Sequence, residues 1–387
     1  MIKINSNSLN LKGGKTLVGD FEYEFGNTSF TFNGQVRTII QQSDGKLVVG
    51  GDFTTYSGSA NDYIVRINPD GTKDTTFNIG NGFNNFVLSI IQQSDGKLLV
   101  GGDFTTYSGS ANNRIVRINT DGTKDATFNM GTGFNGIVRT IIQQSVDKLV
   151  VVGNFTTYSG FTNNRIVRLN TDGTKDATFN MGTGFDVLVL SIIQQSDGKL
   201  VVGGDFITYS GFANNYIVRI NSDGTKDTTF NIGTGFNGFV RTVIQQSDGK
   251  LLVGGDFTTY SGSANNRIVR INTDGTKDTT FNMGTGFDAS IIPIIQQPDG
   301  KLLVGGNFTT YSGSANNRIV RLNSDGTKDA TFNIGTGFND IVIPIIQQSN
   351  GKFLIGGNFT TYSGSVAERM VLINPDGTTG GQTRRIN

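Results

Sequence analysis

Runs of the form Asn-x-Asp-Gly-Thr-Lys-Asp, such as residues 119–125, recur along the chain and set oxygen ligands at spacings that suit calcium. Their acids are few, and Glu occurs only at Glu22, Glu24 and Glu368. No bidentate carboxylate therefore completes a calcium loop, and the runs read as hairpin turns. The Gly50-Gly51 pair and its equivalents resemble a phosphate cradle only in composition, because no helical pattern follows them. The chain of 387 residues has no Cys and no His. That removes thiolate nucleophiles, Cys-based zinc sites and imidazole bases. With a net charge of +1 the sequence has no general pull toward nucleic acid or anionic membrane. The expectation is a protein with no catalytic residues, no metal and no cofactor.

The elements that must carry these residues follow from a repeat. Gln-Gln pairs begin at Gln41, Gln92, Gln143, Gln194, Gln245, Gln296 and Gln347, a constant period of 51 residues. Periods near this length mark propellers and solenoids. Within the first copy, strands are expected over 36–42, 47–53, 63–68 and 73–78, separated by Ser43-Asp44-Gly45-Lys46, the longer 54–62 loop and Pro69-Asp70-Gly71-Thr72. The Asp-Gly pairs are hairpin signals. The strands are apolar on both faces, as in a small sheet packed between two others, so neighbouring copies must cover each other. The fold expected is all-β: a seven-bladed β-propeller with four-stranded blades over 21–387, its ring closed by a strand at 21–25 rather than by 382–386. Residues 1–20 are expected to be an N-terminal extension that attaches the propeller. Copy three carries Val152 in place of the first Gly, and Ser145-Val146-Asp147-Lys148 in its turn, so its blade is expected to be irregular.

The run KLLVGGDFTTYSGSANNRIVRINTDGTKDATFN resembles the delta-sixty repeat, a bacterial propeller-type repeat, and its Gly-Gly at the end of the second strand is similar to kelch blades. The resemblance extends over all seven copies. It implies a propeller, and membership of a group found mostly in exported or surface proteins. The N-terminus, MIKINSNSLNLKGG, lacks the apolar core of a Sec signal peptide, and no stretch has the length of a membrane span.

Positions where the copies differ carry the functional expectation. At the second position of the first strand they read Arg37, Leu88, Arg139, Leu190, Arg241, Ile292 and Ile343. Tyr63 and Tyr216 stand where the other copies have Arg, and Phe161 and Phe212 stand where the first has Ser59. A ring of Asn33, Asn84, Asn135, Asp186, Asn237, Asp288 and Asn339 precedes the first strands. All these positions fall on the side of the longer loops, where binding residues concentrate on rigid scaffolds. They define an expected ligand face, set against sequence drift among duplicated copies. The functional expectation is a non-enzymatic module recognising a cell-surface glycan or a partner protein, in the setting of a phage virion. Virion or surface proteins are the expected partners, with no membrane insertion, and oligomerisation would follow the assembly that carries the chain. An interaction scaffold, cytosolic or at the cell surface, is the alternative. A carbohydrate-active enzyme would have to draw on Asp186, Asp288, Asp340 and Glu368.

Overall fold

The computed structural model describes residues 30–145 and 147–379. The two candidate closing strands, 21–25 and 382–386, and the extension over 1–20 lie outside them. Each copy builds one antiparallel sheet. In the first, the inner strand Val36–Gln41 pairs with the middle strand Leu47–Gly51, which pairs with Ile64–Ile67. The pattern repeats seven times, ending with Val342–Gln347, Phe353–Gly357 and Met370–Ile373. Among the described residues the chain forms no helix.

The fourth strand of each blade is contracted to a single bridge, Ile67 to Lys73 in the first copy and Ile373 to Thr379 in the last. Two local bonds end the ladder there. The Asp74 carboxylate accepts from the Thr76 N–H at 2.9 Å, a turn that competes with strand pairing. Then the Asn78 N–H donates across to the Asp121 carbonyl of the next blade at 2.6 Å. The vacated edge is met by the loop after the middle strand, which forms a short hairpin, Thr55–Tyr56 with Ser59–Ala60. Its buried Tyr56 donates to the Gly71 carbonyl at 2.5 Å, and burial pushes that phenol up to about 12.

The core lies between blades rather than within them. Val48 and Ile64 of the first copy pack with Val87, Leu98 and Val100 of the second. The same packing closes the ring, since Phe32 and Val36 share a cluster with Leu354 and Met370 of the seventh copy. Blade three keeps the register of its neighbours, Val138 opposite Gly153 and Thr140 opposite Val152. The expected irregularity is absent from its strands. Val152 is fully buried among the residues around Val189, and Asp147 adopts the positive φ of 57° that Gly45 provides in the first blade.

A polar joint, overlooked in the sequence, links consecutive blades. The Arg66 guanidinium donates to the Asp74 carboxylate at 2.7 Å, to the Thr76 hydroxyl at 3.2 Å and to the Thr120 carbonyl of the next blade at 2.5 Å. It lies 4.5 Å from the Phe77 ring centre, and Lys46 approaches Asp74 at 3.1 Å. Burial opposes ionisation of Asp74, but the Thr76 bonds, Lys46 and Arg66 outweigh it and hold the carboxyl below the usual range. Six copies carry this joint, from Arg66 to Arg321. The seventh has Leu372. The signal was there to be read: copy seven also replaces the partner Asp with Gly380, so both members of the pair vanish together.

Candidate functional site

The long-loop side is built by a backbone approach that demands glycine. A Cβ on Gly51 would lie 2.1 Å from the Gln35 carbonyl oxygen, the same carbonyl that accepts from the Asp52 N–H at 2.8 Å. This approach forces a bulge in the inner strand. Val36 pairs with Gly51 and Thr38 with Gly50, leaving Arg37 unpaired between them. Bulges re-aim side chains. Here the bulge falls at the Arg, Leu and Ile position of every blade, on inner strands that pack side by side around the ring, and Arg37, Arg139 and Arg241 come close enough to act on one another electrostatically.

The expected ligand residues separate into three groups. The Asn and Asp ring is a set of loop caps. Asn33 accepts from the N–H groups of Thr54 and Thr55 at 2.8 and 2.9 Å and donates to the Thr54 hydroxyl at 2.8 Å. Asn84, Asn135, Asn237 and Asn339 repeat these bonds. Asp186 accepts from Ile207 and Thr208, and Asp288 from Thr309 and Thr310. These side chains are occupied in holding loops, and Asp186 and Asp288 belong to blades four and six. Phe161 and Phe212 form the second group. They sit at the tips of the outer hairpins, 63% and 60% exposed, with Lys175 and Lys226 over their rings. The rim location separates them from the arginines.

The third group, at the axial mouth, holds the arginines and tyrosines together. Arg37 forms a bidentate pair with Asp52, and its guanidinium lies 5.6 Å from the Phe86 ring centre. Tyr63 meets the same ring at 6.1 Å. Arg241 pairs with Asp256 at 2.6 Å, and Tyr216 approaches Phe239 at 6.4 Å. Burial of Asp256 favours its neutral form, but Arg241 prevails and lowers its pKa. Arg139 is different because its blade has Asn154 where others have Asp52 or Asp256. Among the described residues its buried Nε has no hydrogen-bond partner. Burial lowers the proton affinity of Arg139; Arg37 and Arg241 lower it further, against Asp103. In the neighbouring blade Asp205 has Leu190 and Tyr216 where arginines stand elsewhere, and burial followed by Asp186 raises its pKa.

Between blades three and four a shallow depression of about 340 Å³ is lined by Asn164, Arg165, Asp186, Thr208 and Gly211 among others. Beside it Ile207 and Val187 are 49% and 38% exposed. Phe86 and Phe239, which break the repeat immediately before the inner strand, stand beside Arg37 and Arg241. In the calcium-like runs the carboxylates serve the turns and the blade joints. Asp121 accepts from the Thr123 N–H and hydroxyl, and Asp125 pairs with Arg117 and Lys97. Among the described residues no cluster of three or more acids could hold a metal.

A family model described as a domain of unknown function (DUF5122) beta-propeller matches residues 42–77, 93–128, 145–179, 195–230, 246–281, 297–332 and 348–379. The chain belongs to the DUF5122 β-propeller family. Each of its seven matched segments begins just after an inner strand and covers the middle and third strands of one blade. Among curated proteins none matches the sequence significantly. Solved structures similar to this DUF5122 propeller include the WD40 β-propeller domain of Doa1, at 15% identity and a TM-score of 0.58, covering 89% of this chain and 94% of that one. The extracellular domains of the hybrid two component system BT3049 and the one component system BT4673 of B. thetaiotaomicron match at 16% and 18% identity with TM-scores of 0.56 and 0.53. They cover 90% and 86% of this propeller, which spans 41% and 39% of those chains. At these identities the likeness concerns the fold.

Proposed function

We propose that this propeller is a non-enzymatic binding module that docks a partner protein on its long-loop side. One observation carries the reading. The copies lose their symmetry on that side and along its rim, leaving Phe161, Phe212, Ile207 and Val187 exposed on the neighbouring blades three and four, with Val366 exposed apart from them on blade seven. Exposed apolar groups gathered on one side of a soluble fold mark interaction surfaces. The opposite side repeats nearly identical Asp-Gly turns and suits attachment to a larger assembly. A phage virion is the setting we propose for such a mount. The acids considered for glycoside hydrolysis support binding better than catalysis, since Asp186, Asp288 and Asp340 each cap a loop.

The test returns the variant positions to the residues of their sister copies. Phe161→Ser, Phe212→Ser and Ile207→Thr are combined, and binding of labelled protein is measured on bacterial cells, on surface glycans and on purified phage particles. Saturable binding to particle protein that falls at least tenfold in the triple variant is the expected result. Equal binding by both proteins would refute the docking side, and binding confined to glycans would refute the protein partner.

A further inference from the structure

We infer that the axial mouth holds a carboxylate-binding site centred on Arg139, and that its ligand is an acidic peptide segment of a partner protein. The inference rests on the binding-module reading and names the chemistry of one part of that surface.

Charge bookkeeping around the mouth isolates the site. Blade one sets Arg37 against Asp52, and blade five sets Arg241 against Asp256. In blade two Asp103 faces Arg114 at 3.4 Å. Blade three presents Arg139 and Arg165 with Asn154 between them in the pattern, so neither guanidinium has an acid at that position of its own blade. Among the described residues the buried Nε atoms of both have no hydrogen-bond partner, a condition shared by Arg114, Arg267 and Arg318. Arg165 donates from Nη1 to the Phe155 carbonyl at 3.3 Å and from Nη2 to the Asp186 carbonyl at 3.5 Å, whereas among the described residues no hydrogen bond anchors the Arg139 side chain. A buried donor without an acceptor is costly, and a carboxylate would satisfy it with charge-assisted bonds.

The surroundings select the rest of the ligand. Four of the seven bulge residues at the mouth are Leu88, Leu190, Ile292 and Ile343, all partly exposed. Phe86 and Phe239 add aromatic surface, each 37% exposed. A polysaccharide entering here would leave hydroxyls against apolar groups without partners. A peptide alternating acidic and aliphatic side chains matches both the unpaired guanidinium and the apolar ring.

Two variants test the site without disturbing the fold, because sister blades already carry each residue. Arg139→Leu copies Leu88 and Leu190. Asn154→Asp copies Asp52 and gives Arg139 an internal partner. Binding of a fluorescein-labelled Leu-Glu hexapeptide, its Leu-Gln counterpart and polygalacturonate is followed by fluorescence anisotropy, with melting curves to verify folding. The parent protein should bind the Leu-Glu peptide in preference to the Leu-Gln peptide, and each variant should weaken that binding about tenfold or more. Equal binding of both peptides, undiminished binding by either variant, or Arg139-dependent capture of polygalacturonate in place of peptide would overturn the inference. Absence of peptide binding would also overturn it. The Phe161→Ser, Phe212→Ser, Ile207→Thr protein should bind the peptide normally, so the failure of one reading leaves the other standing.

Discussion

Replacing Arg219 with Leu, the residue that copy seven carries at Leu372, separates the contributions within a blade joint. Arg219 is 6% exposed. It donates to the Asp227 carboxylate at 2.6 Å, to the Thr229 hydroxyl at 3.2 Å and to the Thr273 carbonyl of the next blade, and it lies 4.6 Å from the Phe230 ring centre. Removing one partner of a buried ion pair costs about 3–5 kcal/mol. Lys199 remains 2.9 Å from Asp227 and keeps part of the compensation, which places the loss near the lower end, at about 3 kcal/mol. In the double variant Arg219→Leu, Asp227→Asn, no buried carboxylate is left short of a cation, while the Asn oxygen can still accept from the Thr229 N–H. The double variant should therefore lose at least about 1 kcal/mol less than the sum of the single losses. Equilibrium unfolding in guanidinium, followed by circular dichroism with the slopes compared, measures all three losses. A single-variant loss below about 1 kcal/mol, or strict additivity, would refute the claim that these joints hold neighbouring blades together.

Two further predictions use the same geometry. Gly204→Ala should destabilise more than Gly203→Ala, because the added Cβ would meet the Leu188 carbonyl at 2.3 Å in the first case and the Val240 side chain at 2.4 Å in the second. Paired melting curves decide this, and equal shifts would count against it. Acid should unfold the protein through the joint carboxylates. Burial of Asp176 favours its neutral form, yet its bonds to Thr178 and Arg168 hold it near about 2. A carboxyl lowered in the folded state contributes stability above its unfolded pKa of about 4 and loses it as pH falls toward the folded value. Stability should thus decline between about pH 4 and pH 2, and Asp176→Asn should flatten that decline in pH-dependent unfolding.

The propeller was legible in the sequence because its period and its turn chemistry agree. Asp-Gly pairs at fixed offsets predict the hairpins, and the strands over 36–42 and 47–53 differ from the observed ones only at their ends. The outer strand was misread because its composition suits a strand, while the Asp74 turn and the bond from Asn78 to the next blade are decided by tertiary contacts. At the mouth, Arg37 and Arg241 stood out by breaking the repeat, but a single copy read alone does not show that Asp52 and Asp256 neutralise them. The distinction between Arg139 and its sisters required setting Asn154 beside Asp52 in the repeat. The Asn and Asp ring shows the opposite case. A polar residue repeated at an exposed place reads as a site in the sequence, and the structure adds that its oxygen accepts from two loop N–H groups.

The joint between blades also has a direction. Each guanidinium projects forward to a carbonyl of the following copy, so a row of copies is a chain of plugs and sockets. The last copy carries Leu372 instead of a plug, and the Pro69 carbonyl of the first receives no guanidinium among the described residues. Because the first and seventh copies pack against each other, the open socket lies beside the copy that lacks a plug, and the two mark a seam in the ring. Leu372→Arg together with Gly380→Asp would offer the missing plug to the socket of the same molecule and make the seventh joint like the other six.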